Sequence, residues 1–253
     1  MIPRRVRRPL ADAPGVWSVL QLCDSGFPSG RFTQSDGLET AVDLGWVKDG
    51  AGLAAWLIDT LTHAVAPLDG RVLALAWRAA GRGQADAVRA MDGWLEAMRL
   101  AREPREASAR SGRRLLALLG AIAAPAPDQP GARAAADVLA ALRRWGERGE
   151  SPCHYSCVLG TAGRALGAGL SDLLAGALLS AAAGQTAAAV RLGVADHVDA
   201  QRALLQVRER LQGLIRLARG HPGAEGPPGS SFAPLAEIAA MRHETAHVRL
   251  FTT

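Results

Sequence analysis

The sequence contains few aromatic and β-branched residues. Aromatic side chains make up 4% of the 253 residues, whereas alanine, leucine and arginine are abundant. Strands favour β-branched and aromatic side chains, and Ala, Leu and Arg are among the better helix formers. No segment shows the alternation of apolar and polar residues that a half-buried strand requires. The composition therefore argues against a sheet protein and predicts an all-α fold.

Lysine is nearly absent: only one of the 29 basic residues is a lysine, Lys48. A formal charge of +5 would suit a nucleic-acid binder. The arginines, however, alternate with Asp and Glu along most of the chain, so we expect no nucleic-acid partner. The exception is the N-terminus, where residues 1–15 are predicted to form a basic, disordered tail. No apolar segment follows this tail, which excludes a secretory signal.

Cysteine is scarce, with Cys23, Cys153 and Cys157 as the only three. This small, odd number argues against a disulfide framework and suits a reducing cytoplasm. In Cys153-His154-x-x-Cys157 two thiols would lie one turn apart on a helix, where soft ligands could hold nickel, copper or zinc. His154 would point about 100° away from Cys153 on such a helix. The pattern therefore favours buried cysteines over a metal site.

Long hydrophobic runs are also rare, and only 173–190 has no charge over 18 residues. That length is close to the lower limit for a membrane-spanning helix. The run holds two glycines and three polar residues, which lower its hydropathy. We expect the central buried helix of a bundle and no membrane association.

The 3.6-residue period recurs along the chain and predicts about ten helices in one domain, residues 16–253. Trp17, Leu20 and Cys23 mark the first helix, and Thr33 or Ser35 is the expected cap of the second. A third helix should end before Pro67, which cannot continue an α-helix without strain. Two stretches rich in Gly and Pro, 124–131 and 220–231, interrupt the pattern, and Ser151-Pro152 is the expected start of a later helix. The second stretch sets off a C-terminal segment, residues 232–253.

The sharpest chemical pattern is His243-Glu244-x-x-His247, which matches the HExxH zinc signature. On one helix this spacing puts two imidazoles one turn apart, with a carboxylate between them to act as a base. Zinc hydrolases of this kind usually take a third ligand from downstream, but residues 248–253 contain no His, Asp, Glu or Cys. No sheet is expected to align a substrate either. A zinc hydrolase that uses these three residues is therefore the alternative hypothesis.

Residues 24–39, D-S-G-F-P-S-G-R-F-T-Q-S-D-G-L-E, are unusual for a helical protein. They combine glycine and proline with small polar residues, which indicates a shaped connection between helices.

Together with the C-terminus, this stretch resembles the UreF family of urease accessory proteins. That family has a leucine-rich helix followed by a sequence like D-S-A-L-P-I-G-A-F-S-x-S-x-G-L-E, and it ends in H-E-x-x-Y-x-R-L-F. The likeness continues in 105–108, 112–116 and 187–192. His247 stands where the family usually has tyrosine, and 194–197 replaces its L-G-Q-T.

The resemblance implies an all-α homodimer without catalytic residues, metal ligands or cofactors. It implies a cytoplasmic role in the delivery of nickel to apo-urease, with a UreD-type protein (also called UreH) and the GTPase UreG as partners. In physical terms, Leu250 and Phe251 would serve as apolar anchors and Arg249 as a polar clamp on a partner. The partner-binding residues that the resemblance implies lie in the two end motifs: Pro28, Gly30, Phe32, Ser35, Gly37, Glu39, His243, Glu244, Arg249, Leu250 and Phe251.

Overall fold

The computed structural model describes residues 14–31, 34–122, 128–129, 131–220 and 229–253. Every regular element in these residues is a helix and none is a strand, which confirms the predicted all-α fold. The predicted tail (1–15) lies almost entirely outside the described residues, as do most of the two Gly/Pro-rich stretches. The helices are α1 (Pro14–Cys23), α2 (Leu38–Asp43), α3 (Gly50–Thr60), a π-helical segment (Leu61–Gly70), α4 (Arg71–Gly81), α5 (Ala85–Met98), α6 (Arg102–Ile122), α7 (Ala132–Glu147), α8 (Tyr155–Ala165), α9 (Leu170–Arg191), α10 (His197–Arg219) and α11 (Pro234–His243).

Helix α8 lies at the centre of the bundle and packs against α4, α6, α7 and α9. Small residues let these helices approach closely. A methyl group at Gly160 of α8 would collide with the carbonyl oxygen of Leu73, and one at Gly112 of α6 would collide with that of Cys153. The core between the helices consists mainly of leucine and alanine. The scarcity of aromatic side chains is therefore matched by short distances between helix axes.

Helix α3, the π-helical segment and α4 form one continuous rod, so the prediction of a helix end before Pro67 is wrong. In an α-helix the proline ring meets the carbonyl group four residues earlier and one hydrogen bond is lost. Pro67 lies within the π-helical segment, whose wider turn changes the partner of each carbonyl group. The chain therefore continues through Pro67 without a break.

Helix α2 begins at Leu38, and its N-cap is Gly37 at φ 86°, without a side-chain cap. The prediction that Ser35 caps this helix is therefore wrong, and Thr33 lies outside the described residues. In α1, Trp17 and Leu20 face solvent. Val19 and Leu22 form the buried face of this helix instead.

Helix α8 begins at Tyr155, so the start predicted at Ser151-Pro152 is also wrong. The cause is Asp92, a fully buried carboxylate on α5. Its Oδ2 accepts hydrogen bonds from the Ser151 hydroxyl at 2.5 Å and from the Cys153 N–H at 2.7 Å. Its Oδ1 accepts one from the His154 N–H at 2.7 Å. These bonds hold the chain out of the helix before Tyr155.

Cys153 therefore precedes the helix at φ 60°, and the two thiols do not lie one turn apart on a helix. Burial raises the pKa of the Cys157 thiol well above its ordinary value, and Asp92 raises it further. A thiol that keeps its proton is a poor metal ligand. Among the residues that the structure describes, no group of three His, Cys, Asp or Glu side chains is placed to hold a metal ion.

Two helical stretches are long and apolar enough to cross a membrane by length and composition, Gly50–Gly81 and Leu170–Arg191. The most apolar 18-residue windows of the two stretches have mean hydropathies of 1.2 and 1.6, and 44% and 50% of these windows is buried within the fold. Helix α9 contacts helices on several sides, and Gln185 on it accepts a hydrogen bond from the Trp56 indole at 3.1 Å. Core helices of soluble bundles share this length and composition, so the two stretches are weak evidence for a membrane protein.

Candidate functional site at the junction of the end motifs

The two end motifs meet in space around His243, the last residue of α11. This side chain is 1% exposed and lies between two carboxylates. Its Nδ1 is 2.6 Å from Glu103 Oε2, on the first turn of α6, and its Nε2 is 3.0 Å from Glu39 Oε2, on α2. The imidazole therefore joins the motif at 24–39 to the motif at 243–251 through the start of α6.

The cluster pairs basic side chains with acidic ones. Each ring nitrogen of His243 faces a carboxylate oxygen, that of Glu103 on one side and that of Glu39 on the other. Arg249 donates from Nη1 to Glu103 Oε1 at 2.5 Å. We call Glu39, Glu103, His243 and Arg249 the junction cluster: it contains two basic and two acidic side chains. Loss of one member would leave a buried charge unpaired, which typically costs about 3–5 kcal/mol.

Glu39 also holds the backbone of the C-terminal segment. Its Oε1 accepts a hydrogen bond from the Leu250 N–H at 2.6 Å, and its Oε2 accepts one from the Phe251 N–H at 3.1 Å. Ser35 continues this attachment, because its N–H donates to the Thr253 carbonyl oxygen at 3.0 Å and its hydroxyl donates to the same oxygen. The path of residues 249–253 is thus set by the Ser35–Glu39 region.

Glu244 lies beside the junction cluster and binds the start of α6. Its carboxylate accepts hydrogen bonds from the Arg102 N–H at 2.8 Å and from Arg102 Nε at 3.3 Å. Burial alone would raise the pKa of Glu244, but the hydrogen bonds from Arg102 outweigh burial and lower the pKa below its ordinary value. A carboxylate at a helix N-terminus is also favoured by the helix dipole. Glu244 therefore caps the N-terminus of α6.

This geometry does not support the zinc-hydrolase alternative. Helix α11 ends at His243, and Glu244 and Thr245 form a turn, so His247 is not one helical turn away on the same helix. His247 is exposed, whereas both nitrogens of His243 contact carboxylates within the protein. The arrangement that the HExxH signature needs is thus absent from this part of the chain, because the helix ends inside the motif.

The remaining implied partner-binding residues fall into two groups. Near the junction cluster, Phe251 is buried with the Arg191 guanidinium 4.4 Å from its ring centroid, whereas Leu250 is 62% exposed. A Cβ at Gly37 would press against the backbone of α11 at 3.0 Å from the Ala236 oxygen, so this glycine lets α11 approach. The others lie apart: Pro28 is exposed, Gly30 at φ 83° lies against the Arg114 side chain, and Phe32 is outside the described residues.

Sequence reasoning missed Glu103, Arg102 and Arg191. Glu103 completes the junction cluster, yet in the sequence it is only an acidic residue in the first turn of a helix, a common position for any glutamate. Arg102 has the same ordinary appearance. Arg191 lies within the 187–192 stretch that supports the family likeness, but its contact with Phe251 follows only from the fold.

Apolar side chains are exposed beside the junction cluster. Leu235, Ile238 and Met241 are spaced three residues apart on the solvent-facing side of α11. Val248 is 86% exposed on the segment that follows. We call these four residues, with Leu250, the α11 face. An apolar surface of this kind with polar neighbours is typical of a protein contact.

Comparison with known proteins places the chain in a family. The sequence profile of the UreF family matches residues 47–208. The bifunctional urease accessory protein UreEF of Bordetella bronchiseptica is 32% identical over 247 residues, which is 96% of this chain and 53% of that protein. This chain thus spans about half the length of the bifunctional relative. The urease accessory proteins UreF of Cupriavidus metallidurans and of an Arthrobacter species are 29% and 30% identical, over 94% and 92% of this chain and 97% and 95% of their own lengths. The chain belongs to the UreF family of urease accessory proteins.

Proposed function

We propose that this chain is a non-enzymatic scaffold in the maturation of urease. In this proposal it forms a homodimer in the cytoplasm and bridges a UreD/UreH-type protein and a UreG-type GTPase while nickel is inserted into apo-urease. The observation that carries the proposal is the junction cluster, which holds the exposed α11 face in a fixed position on the bundle.

The α11 face is the proposed docking surface for the UreD/UreH-type protein. It combines an apolar centre with exposed polar side chains at its edge, Arg242 and His247. Interfaces commonly have this arrangement, in which a few central apolar residues supply most of the binding energy. Because Glu39 holds the backbone at Leu250 and Phe251, the Leu250 side chain is directed outward at low entropic cost.

The same contacts support a non-enzymatic role. Glu244, the general base of the zinc hypothesis, accepts two hydrogen bonds from Arg102. His243 is enclosed by Glu39 and Glu103. The two residues that the zinc hypothesis needs as base and first ligand are therefore occupied by contacts within the protein.

The experiment is co-expression of the full chain with a UreD/UreH-type and a UreG-type protein, followed by size exclusion with light scattering. We expect a homodimer for the chain alone and a ternary complex with both partners. The double variant Ile238→Asp/Leu250→Asp should lose the UreD/UreH-type protein. Its control, Val198→Asp/Leu205→Asp, changes two exposed apolar residues of α10 and should retain it. A monomer that captures neither partner would contradict the proposal.

A further inference from the structure

Two arginines of helix α4, Arg71 and Arg78, lie on the same side of the helix as Arg82, the residue that caps its C-terminus. Arg71, Arg78 and Arg82 are seven and four residues apart, so on a helix they lie within about 40° of one another. A fourth arginine, Arg219, is the last residue of α10. Arg71 and Arg78 both donate hydrogen bonds to the Arg219 carbonyl oxygen, in the case of Arg78 from both terminal nitrogens at 3.3 Å. The end of α10 therefore gathers the four residues into one cluster.

The positive charge of this cluster is not balanced by any described residue. None of the four arginines forms an ion pair in the part of the chain that the structure describes, although many other arginines do. Their side-chain partners are neutral: Arg82 donates to Gln84 at 2.9 Å, and Arg219 donates to the Ser171 hydroxyl at 3.0 Å. Burial, followed by the charges of Arg71, Arg219 and Arg82, lowers the pKa of Arg78 below its ordinary value.

The cluster is accessible from solvent. Arg82 and Arg219 are exposed and Arg78 is partly exposed, whereas Arg71 is buried and supports the end of α10 from below. Leu217, on the same last turns of α10, is 43% exposed. Arginine beside an exposed apolar side chain is a common composition of a protein interface.

We propose that Arg78, Arg82 and Arg219 form a docking surface for an acidic segment of a partner protein. Guanidinium groups bind carboxylates in a planar, two-bond geometry, and the interaction would relieve the repulsion among the arginines. The surface is separate from the α11 face and does not depend on which protein docks there.

The dimensions of the surface favour a peptide over a nucleic acid. From Arg71 to Arg82 the helix rises about 16 Å. Exposed carboxylates flank this length, Asp86 in the first turn of α5 and Asp172 next to Ser171. They would repel any polyanion that continued far past the cluster, which a nucleic-acid strand does and a short acidic segment does not. Nucleic-acid binders commonly contact about 6–10 phosphates, more than three exposed arginines can reach.

The test uses a fluorescein-labelled octaglutamate peptide and the full chain, with binding followed by anisotropy at low and at physiological salt. We expect Arg78→Glu/Arg82→Glu to weaken binding at least about tenfold, because each substitution replaces attraction with repulsion. The control is Arg144→Glu/Arg208→Glu, which makes the same change in net charge at two exposed arginines that form no ion pair among the described residues. At physiological salt it should weaken binding less than about twofold, since Arg208 lies about 16 Å from Arg219 along α10 and salt screens charges at that separation.

Several results would overturn the proposal. Equal weakening in both double variants would show a net-charge effect, and absence of peptide binding by the wild type would remove the surface altogether. Tighter binding of an eight-nucleotide single strand, lost in the same variant, would assign the surface to nucleic acid.

The neutral variant Arg78→Gln/Arg82→Gln serves if the glutamates prevent folding, and it should show an intermediate loss. Because the assay contains no urease accessory partner, its failure leaves the proposed function standing. A failure of the partner-capture experiment likewise leaves the peptide result intact.

Discussion

His243 Nε2 lies 3.0 Å from Glu39 Oε2, although the two residues are 204 positions apart in the sequence. The same glutamate accepts the backbone N–H groups of Leu250 and Phe251. Glu39 thus contacts the buried ring of His243 and also fixes the chain that follows it. The consequences of this double role can be measured.

Replacement of Glu39 by alanine should destabilise the protein by about 3–5 kcal/mol, because it removes one carboxylate from the buried ion-pair network of the junction cluster. Two backbone N–H groups would lose their acceptor as well. Urea denaturation followed by circular dichroism measures the change. The control is Glu106→Ala, whose partners Arg102 and Arg110 are about half-exposed and whose loss should cost less than about 1 kcal/mol. Similar losses for the two variants would contradict the role of the junction cluster.

Removal of residues 244–253 should leave most of the helical signal unchanged, since the central packing of α8 against α4, α6 and α7 does not involve this segment. The same truncation should abolish capture of the UreD/UreH-type protein. Far-UV circular dichroism and pull-down measure the two effects separately. Global unfolding of the truncated chain would contradict the prediction.

The C-terminal segment should also respond to its partner. We expect amide hydrogen exchange across residues 244–249 to be faster than in α8 for the chain alone, because these residues lie largely at the surface and form turns instead of a buried helix. The N–H groups of Leu250 and Phe251, which Glu39 binds, should exchange most slowly within the segment. Binding of the UreD/UreH-type protein should slow this exchange. Exchange that is already as slow as in α8 without a partner would count against docking at this segment.

Glu244→Gln distinguishes the scaffold from the hydrolase. We expect no zinc-dependent peptidase activity in the wild type or the variant, because Glu244 caps α6 and His247 does not share a helix with His243. The variant should reduce urease activation by weakening the contact with Arg102 next to the α11 face. The measurement is peptidase turnover with added zinc beside urease activity in co-expressing cells. A zinc-dependent activity that disappears with Glu244→Gln would restore the enzymatic interpretation.

His154 should make the protein less stable in mild acid. Its side chain is fully buried, and burial, followed by the charge of Arg99, lowers the pKa of His154 to about 3. Glu96 approaches Nε2 at 2.8 Å and favours the charged form, but this carboxylate is 44% exposed and water screens it. Nδ1 has no hydrogen-bond partner, which is consistent with a neutral ring.

The direction in which stability changes with pH follows from which state of the protein, folded or unfolded, binds the proton. Below an ordinary pKa of about 6.5 the unfolded chain binds a proton that the folded protein does not, so stability falls as the pH drops from about 6.5 toward 3, by up to about 1.4 kcal/mol per pH unit. Above about pH 7.5 His154 does not contribute to the change of unfolding free energy with pH. Urea midpoints at pH 7.5, 6.5 and 5.5 for the wild type and for His154→Gln isolate the effect, because the glutamine does not titrate. Parallel pH profiles for the two proteins would rule it out.

Features that depend on local chemistry could be predicted from the order of residues alone. The excess of Ala, Leu and Arg over β-branched and aromatic residues predicted the all-α fold, and the uncharged run at 173–190 located α9 to within a few residues. The motifs at 24–39 and 243–251 were sufficient to recognise the family. These features follow from neighbours along the chain, which the order of residues specifies directly.

The tertiary structure decided the features that depend on distant partners. Asp92 moved the start of α8 to Tyr155 by binding the backbone before it, and Pro67 was accommodated in a rod that packs on both sides. His243 appeared in the sequence as half of a zinc motif, and its role changed because the fold placed Glu39 and Glu103 on its two nitrogens. A titratable side chain acquires its chemistry from the charges that surround it, and those charges come from helices that are far apart in the sequence.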